Sequence, residues 1–509
     1  MLVLVGEVIL DRAAPILKGR IIETLSARFN GRVELDSLDV SILHGLDVSG
    51  EGLRIFAPDE VVAAGATQPL IAVRQFGFHA GLTGLFFKPM RVDAVHVTGM
   101  AIRVPPRETR AHGVRVVRRR GEMELRADEI RVDEIVCDDS RLVIETLKPG
   151  KQAKEFELRH IAMQDVGQDA PWAFDATVVN AVPKGDIQTS GTFGPWVNES
   201  PGQLPLEGRY TFDHADLRPI KGVGGTLSSV GQFHGLLDRI EVDGRAEVPD
   251  FSLDTANHPL PLRTTFHAIV DGTSGDTYLQ PVRARLGETD FLCSGSVLNE
   301  QGVGHTIDLD VTVPNGRLED FLRLAVKTRP VVMTARLEMK VKLHIRPGKE
   351  SVTRRLGLAG GFRLWRIHFN NPEVQGKVDM LSLQAQGRPN EAVARVEDVS
   401  SEMRSGFGLN DGRMRFPDLL YRMPGATVEL SGVYTLDGEQ FQFEGKVRTE
   451  AKLSQMVTSW WKSWLLKPLD PFFHKHGAGA EIPVWVSGTK GSPKFGLDLF
   501  RKEKGQGAE

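Results

Sequence analysis

Between Gly406 and Val447 apolar and polar residues alternate over short segments. The segments are broken by Asn410-Asp411-Gly412, Met423-Pro424-Gly425 and Asp437-Gly438. Alternation at period two marks strands with one apolar face, and Asp-Gly marks tight hairpin turns. The stretch therefore predicts consecutive antiparallel hairpins. Met414, Phe416, Val428, Leu430, Tyr434, Leu436, Phe441, Phe443 and Val447 are expected on the apolar face, opposite Thr427, Glu429, Ser431 and Thr435. One hairpin earlier Trp365, Ile367 and Phe369 extend that face, and Leu381 and Leu383 extend it on a strand expected at 376–386.

The same pattern runs through most of the chain. Residues 31–55 and 70–104 read as short strands, with a Gly-rich turn at Leu85-Phe86-Phe87. From 125 to 300, alternating segments at 129–137, 141–147, 155–162, 172–179, 186–193 and onward are separated by Gly, Pro, Asp and Asn, as in large antiparallel β structures. Asp138-Asp139 reads as a turn between two of them. Further strands are expected at 332–346 and 361–369, and a closing pair at 482–487 and 494–499. Three segments break the pattern. Residues 13–29 place Leu17, Ile21, Leu25 and Phe29 at helical spacing, and Asn30-Gly31 stops them. Residues 315–327 read as an interior helix capped by Asn315, with Leu318, Phe321, Leu322 and Ala325 on one face. Residues 451–466 form an amphipathic helix, with Trp460, Trp461 and Trp464 on its apolar stripe. That stripe either plugs one end of the sheet or lies at a membrane interface, where Trp is favoured.

An apolar sheet face must be covered. Three helices cannot cover roughly 30 strands spaced about 4.8 Å apart. Two outcomes remain open: the sheet folds onto itself as sandwiches, or it curls and leaves a groove.

Composition narrows the function. The 509 residues carry 63 Lys+Arg against 66 Asp+Glu, a net charge of -3, which disfavours a dedicated nucleic-acid binder. Gly 53 and Pro 28 suit a turn-rich β protein. Cys137 and Cys293 are too few for a disulfide framework and read as small apolar residues. The basic segment 105–122, with Arg118-Arg119-Arg120, reads as a surface loop. Motifs for hydrolysis, nucleotide binding or zinc proteolysis are missing from the sequence, so no catalytic residue, metal site or cofactor is expected. His474-Lys475-His476 and Asp271–Asp276 read as turns rather than metal or calcium sites. The apolar start MLVLVGEVIL is too short for a membrane span, which needs about 20 residues. It is either the end of an anchor or the first turns of an amphipathic helix.

The chain resembles the AsmA family of bacterial envelope proteins. The resemblance is carried by ILDRAAPILKGRIIETLSARFNGRVELDSLDVSILHGLDVSGEGLRI, GKVDMLSLQAQG, NDGRMRFPDLLYRMPGATVELSGVYTL and IPVWVSGTKGSPKF. HPLPLRTTFHAIVDGTSGDTYLQPVRARLGETDFLCSGSV and VPNGRLEDFLRLA, between those ends, are similar too. The resemblance implies a mainly β fold: an elongated, highly curved antiparallel sheet forming an apolar groove, similar in plan to TamB and the eukaryotic bridge-like lipid-transfer proteins. It implies residues 1–30 as an amino-terminal helix where the family has its membrane anchor, here missing or truncated, and 31–314 as the amino-terminal and central groove. It implies 315–330 as the interior helix, 331–450 as the carboxy-terminal groove, and 451–509 as a Trp-rich capping helix with a terminal hairpin. The implied role is phospholipid transport or outer-membrane lipid homeostasis in the periplasm, tethered to the inner membrane. Phospholipid acyl chains, the inner membrane and other envelope proteins are the implied partners. The alternative is an assembly factor that holds protein partners on the sheet face or edges without moving lipid.

Overall fold

In the computed structural model the described residues are 18–19, 21–23, 25–26, 31–41, 46–56, 69–81, 90–104, 130–144, 154–167, 170–195, 203–220, 222–253, 258–272, 274–300, 304–325, 329–348, 350–390, 399–436, 440–456, 479–489 and 492–497. They form 25 strands and few helices, so the fold is mainly β, with open, highly curved antiparallel sheet. Contacts divide the chain into two compact units. One comprises Met1–Ile220, Thr226–Ala246 and Val270–Thr273; the other comprises Lys221–Gly225, Glu247–Ile269 and Ser274–Glu509. The division falls within the strand Arg239–Leu253.

In the first unit the strands pair antiparallel, with one exception. Met90–Val104 lies parallel to Ile130–Ile144. A parallel pair requires a long crossover, here residues 105–129, where a hairpin would have given antiparallel pairing. Asp138-Asp139 is not a turn. Ile130–Ile144 is one strand through that point, and Asp139, at φ 48°, marks a local kink inside it. Helical residues 18–19, 21–23 and 25–26 bring Ile21 and Ile22 onto a cluster of Leu35, Leu38 and Val48.

In the second unit the expected hairpins are present as Glu402–Asn410, Arg413–Met423, Ala426–Thr435 and Gln440–Thr449, all antiparallel. The closing pair is Ala480–Thr489 with Ser492–Leu497. The interior helix begins later than expected, at Leu318, and its described part is Leu318–Ala325. Asn315 lies in the preceding strand Gly304–Arg317 and caps nothing. Asp320 instead ties the helix to a neighbouring turn, accepting hydrogen bonds from Glu288 N (3.2 Å) and Thr289 Oγ1 (2.8 Å).

The strand expected at 376–386 is a helix, Pro372–Ala385. Asn371 Oδ1 accepts from Glu373 N and Val374 N at 2.9 and 3.3 Å, and Pro372 occupies the first turn. Side-chain capping and a fixed proline φ are standard helix starts. Val378, Leu381 and Ala385 then fall on one helical face and pack against the sheet. Residues 457–478, which include most of the expected Trp helix, lie outside the described residues, as do 105–129 and His474–His476.

Candidate functional site

Register builds one apolar face across the second unit. Leu279 faces Gly295, which faces Leu309, and the row continues through Leu343, Leu358, Leu409, Met414, Tyr434, Phe441 and Gly488. Paired residues point to the same side of a sheet. The row therefore crosses ten strands, about 40 Å at the usual strand spacing. Beside it runs Cys293, Val311, Val341, Gly360 and Phe407. On the later strands Phe416, Gly432, Phe443 and Val486 continue this second row. Rings lie tilted against one another on this face, with Phe362 and Phe407 6.1 Å apart and Phe416 and Phe443 5.8 Å apart.

One end of this face is covered by protein. The helix Pro372–Ala385 seats Val378, Leu381 and Ala385 among Leu337, Leu364, Ile367, Tyr421, Met423 and Ala426, with Phe369 and Val428 packed alongside. Buried Tyr421 donates to Ser401 Oγ at 2.9 Å, and burial pushes its phenol pKa up. The other end differs. Met414, Phe416, Leu430, Tyr434, Leu436, Phe441 and Phe443 are half-buried and belong to no buried cluster among the described residues.

This sorts the expected groove residues. Met414, Phe416, Leu430, Tyr434, Phe441 and Phe443 share the open part of the face. Leu436 is half-buried at the strand end and donates its backbone N–H to Gly412 O at 2.8 Å. Ile367, Phe369 and Val428 share the face but sit in the covered cluster. Leu381 is in that cluster from the helix side, and Leu383 lies half-buried on the same helix, so neither is a groove strand residue. Trp365 is on the opposite face. It pairs with Arg336 and Glu402, whereas Leu364 and Ile367 point inward. The cause is Arg366, whose φ of 54° inserts an extra residue and shifts the alternation by one. Trp460, Trp461 and Trp464 lie outside the described residues.

The part that residue reasoning missed is the upstream half of the row, from Leu279 to Leu409. Each strand there does alternate, but which residues align across strands is set by pairing.

The first unit has its own apolar row. It runs Val48, Phe78, Val95, Ile135, Met163, Phe174, Gly191, Gly208 and Phe233. Cys137 lies in the row beside it, between Val97 and Ile161, and burial raises its thiol pKa, as it does that of half-buried Cys293. Both behave as apolar residues. Two glycines show how tightly these faces curve. A Cβ at Gly208 would meet the Phe233 ring at 2.7 Å, and one at Gly445 would meet Leu430 Cα at 2.9 Å. Only glycine allows that approach.

The opposite faces are polar and laced with cross-strand pairs. In the first unit His79 Nδ1 lies 2.6 Å from Asp47 Oδ1, and His160 Nδ1 lies 2.7 Å from Asp138 Oδ1. In the second unit His344 pairs with Asp308 at 2.6 Å, and Arg448 bridges Glu429 and Glu481 at 2.8 and 2.9 Å. Partial burial raises the Glu481 pKa, but Arg448 and Lys446 outweigh it and hold the carboxyl below its usual range. Asp276 Oδ1 accepts from Asn299 N at 2.7 Å, which makes its loop a closed turn. Chemically, then, the described residues offer apolar surface for a chain-like ligand and polar rims.

No protein-family model, curated protein or solved structure matches the chain.

Proposed function

We propose that the chain binds lipid acyl chains along its apolar sheet faces and hands them from row to row as a phospholipid carrier of the bacterial envelope. The observation that carries this reading is the row from Leu279 to Gly488, an apolar face crossing ten strands, whose part around Met414, Tyr434 and Phe441 is half-buried and in no buried cluster among the described residues. The resemblance to the AsmA family supports the same reading, and with it a periplasmic site of action tethered to the inner membrane. Each buried methylene stabilises the bound lipid by about 0.8 kcal/mol. Successive rows offer nearly equal apolar contact, so moving along them costs little. The charged headgroup stays at the wet rim. No bond forms or breaks, and no nucleophile is required.

Native mass spectrometry of the purified chain is expected to find bound phospholipid. Tyr434→Arg, Phe443→Arg and Leu343→Arg each put a charge on the open row, and desolvating it should lower lipid occupancy about tenfold. Unchanged occupancy in all three folded variants would sink the proposal. The competing reading is an assembly factor. Among the described residues Ser492–Leu497 pairs with Ala480–Thr489 alone, and such an edge can accept a partner's strand. A chain purified without lipid but holding a protein partner at that edge would favour it.

A further inference from the structure

On the polar face of the second unit, cations and acids are paired across strands wherever Asp308, Asp310, Glu429 and Glu481 stand. The strands Glu402–Asn410 and Arg413–Met423 break this rule. Arg404, Arg413, Arg415 and Arg422 are exposed there, and no guanidinium among them has a hydrogen bond or ion pair to a described residue. The described acids on these two strands, in their hairpin turn and on the strand Ala426–Thr435 are engaged elsewhere. Glu402 holds Arg363 at 3.3 Å, Asp418 accepts the Gly406 N–H at 3.0 Å, Asp411 holds Arg346 at 2.8 Å, and Glu429 holds Arg448. Arg363 and Arg404 are direct cross-strand partners. Like charges in that position destabilise a sheet. A local rule broken without an internal gain points to something outside the chain.

Two concavities accompany the arginines. One, of about 700 Å³, lies at the hairpin end, walled by Arg413 and Arg415 with Asn410 and Asp411, and reaches Leu358 and Leu409 of the apolar row. A smaller one, of about 160 Å³, is walled by Arg363, Arg404 and Arg422 beside Leu420, with Glu402, held by Arg363, in its wall. Trp365, on this face by its alternation with Leu364, stands in register with Glu402, whose other neighbour is Arg422. Guanidinium groups bind phosphate through paired N–H donors. Several guanidinia on neighbouring strands, with Trp365 and Leu420 among them, match the polar-apolar boundary of a bilayer.

We infer that this arginine face docks the chain on an anionic phospholipid surface, with Arg404, Arg413, Arg415 and Arg422 contacting headgroup phosphates. The choice of a membrane among phosphate-bearing surfaces rests on the lipid-carrier reading above.

Vesicle flotation of the full chain tests it, using phosphatidylcholine alone as baseline and phosphatidylcholine mixed with phosphatidylglycerol as the anionic surface. Binding is expected to rise on the anionic vesicles and to fall at high salt. Each arginine contributes about fivefold to partitioning, so the quadruple Arg→Gln variant should return to baseline. Lys342→Gln, which removes a paired cation from the same face, should bind like the parent. Equal binding by parent and quadruple variant overturns the inference, and so does an equal loss in Lys342→Gln. Release by inorganic phosphate at constant ionic strength would replace the surface with a single-phosphate site. A duplex-DNA shift lost in the quadruple variant, without vesicle binding, would replace the membrane with nucleic acid. The two proposals fail separately. Lipid in the purified chain with anionic binding unchanged in the variant refutes the docking face, whereas anionic binding lost in the variant without lipid in the parent refutes the carrier.

Discussion

His79 shows what single residues do on the polar faces. Its imidazole stands opposite Asp47 in register, and the hydrogen bond to that carboxylate raises its pKa above the usual 6.5. The folded state therefore holds the proton more tightly than the unfolded state. The stabilisation is fully present below pH 6.5, as long as Asp47 stays ionised, and is lost as pH rises through the higher folded value. His79→Gln should lower the melting temperature at pH 6 and converge with the parent at alkaline pH. A difference that is flat across that range would refute the pairing. Val428 makes a second point at this scale. Alternation puts it on the apolar face, but it packs against the cluster beneath the helix Pro372–Ala385. Val428→Arg should therefore unfold that region, by about 3–5 kcal/mol for an unpaired buried charge, before it reports on any ligand. Chemical denaturation separates it from Tyr434→Arg, which should leave stability within about 1 kcal/mol.

Among the elements, the helix Pro372–Ala385 decides how much apolar face is left open. Its start depends on one side chain. Asn371→Ala should cost about 1 kcal/mol. Leu381→Asp removes a docking contact and adds a charge to the cluster. Hydrogen exchange should then rise across 372–385 and in the facing strands, whereas exchange confined to the helix would show that it docks independently of Leu381. The segment was readable either way. Leu381 and Leu383 fit a strand, while Val378, Leu381 and Ala385 fit a helix. The cap at Asn371-Pro372 carried the deciding signal. Likewise Ile130–Ile144 contains an Asp-Asp pair that reads as a turn, yet its pairing on both sides carries the strand straight through.

At the scale of the whole molecule, the two units each carry one apolar face and one polar face, because nearly every strand alternates. A Gly445→Val change should show how far the second unit depends on its tight curvature. A branched side chain there meets the backbone of the neighbouring strand, so a loss of about 2 kcal/mol or more is expected by denaturation. Lipid occupancy should fall in the same variant if the carrier reading holds, since flattening the sheet separates the rows.

Alternation along the chain determined by itself that this is a mainly β protein of successive hairpins, and which side chains of a strand share a face. That information is local, because successive Cβ atoms point to opposite sides. Met414, Phe416, Leu430, Tyr434, Phe441 and Phe443 were legible as one face for that reason. Only the tertiary structure decided the rest. Strand pairing aligned Leu279, Leu309, Leu343, Leu358 and Leu409 into a row with them. One bulge at Arg366 put Ile367 and Phe369 on the face opposite Trp365, and a helix closed one end of the face. Pairing also set Arg363 against Arg404. Each of these depends on which distant strand lies alongside, and a period-two pattern is the same for every register that keeps its parity.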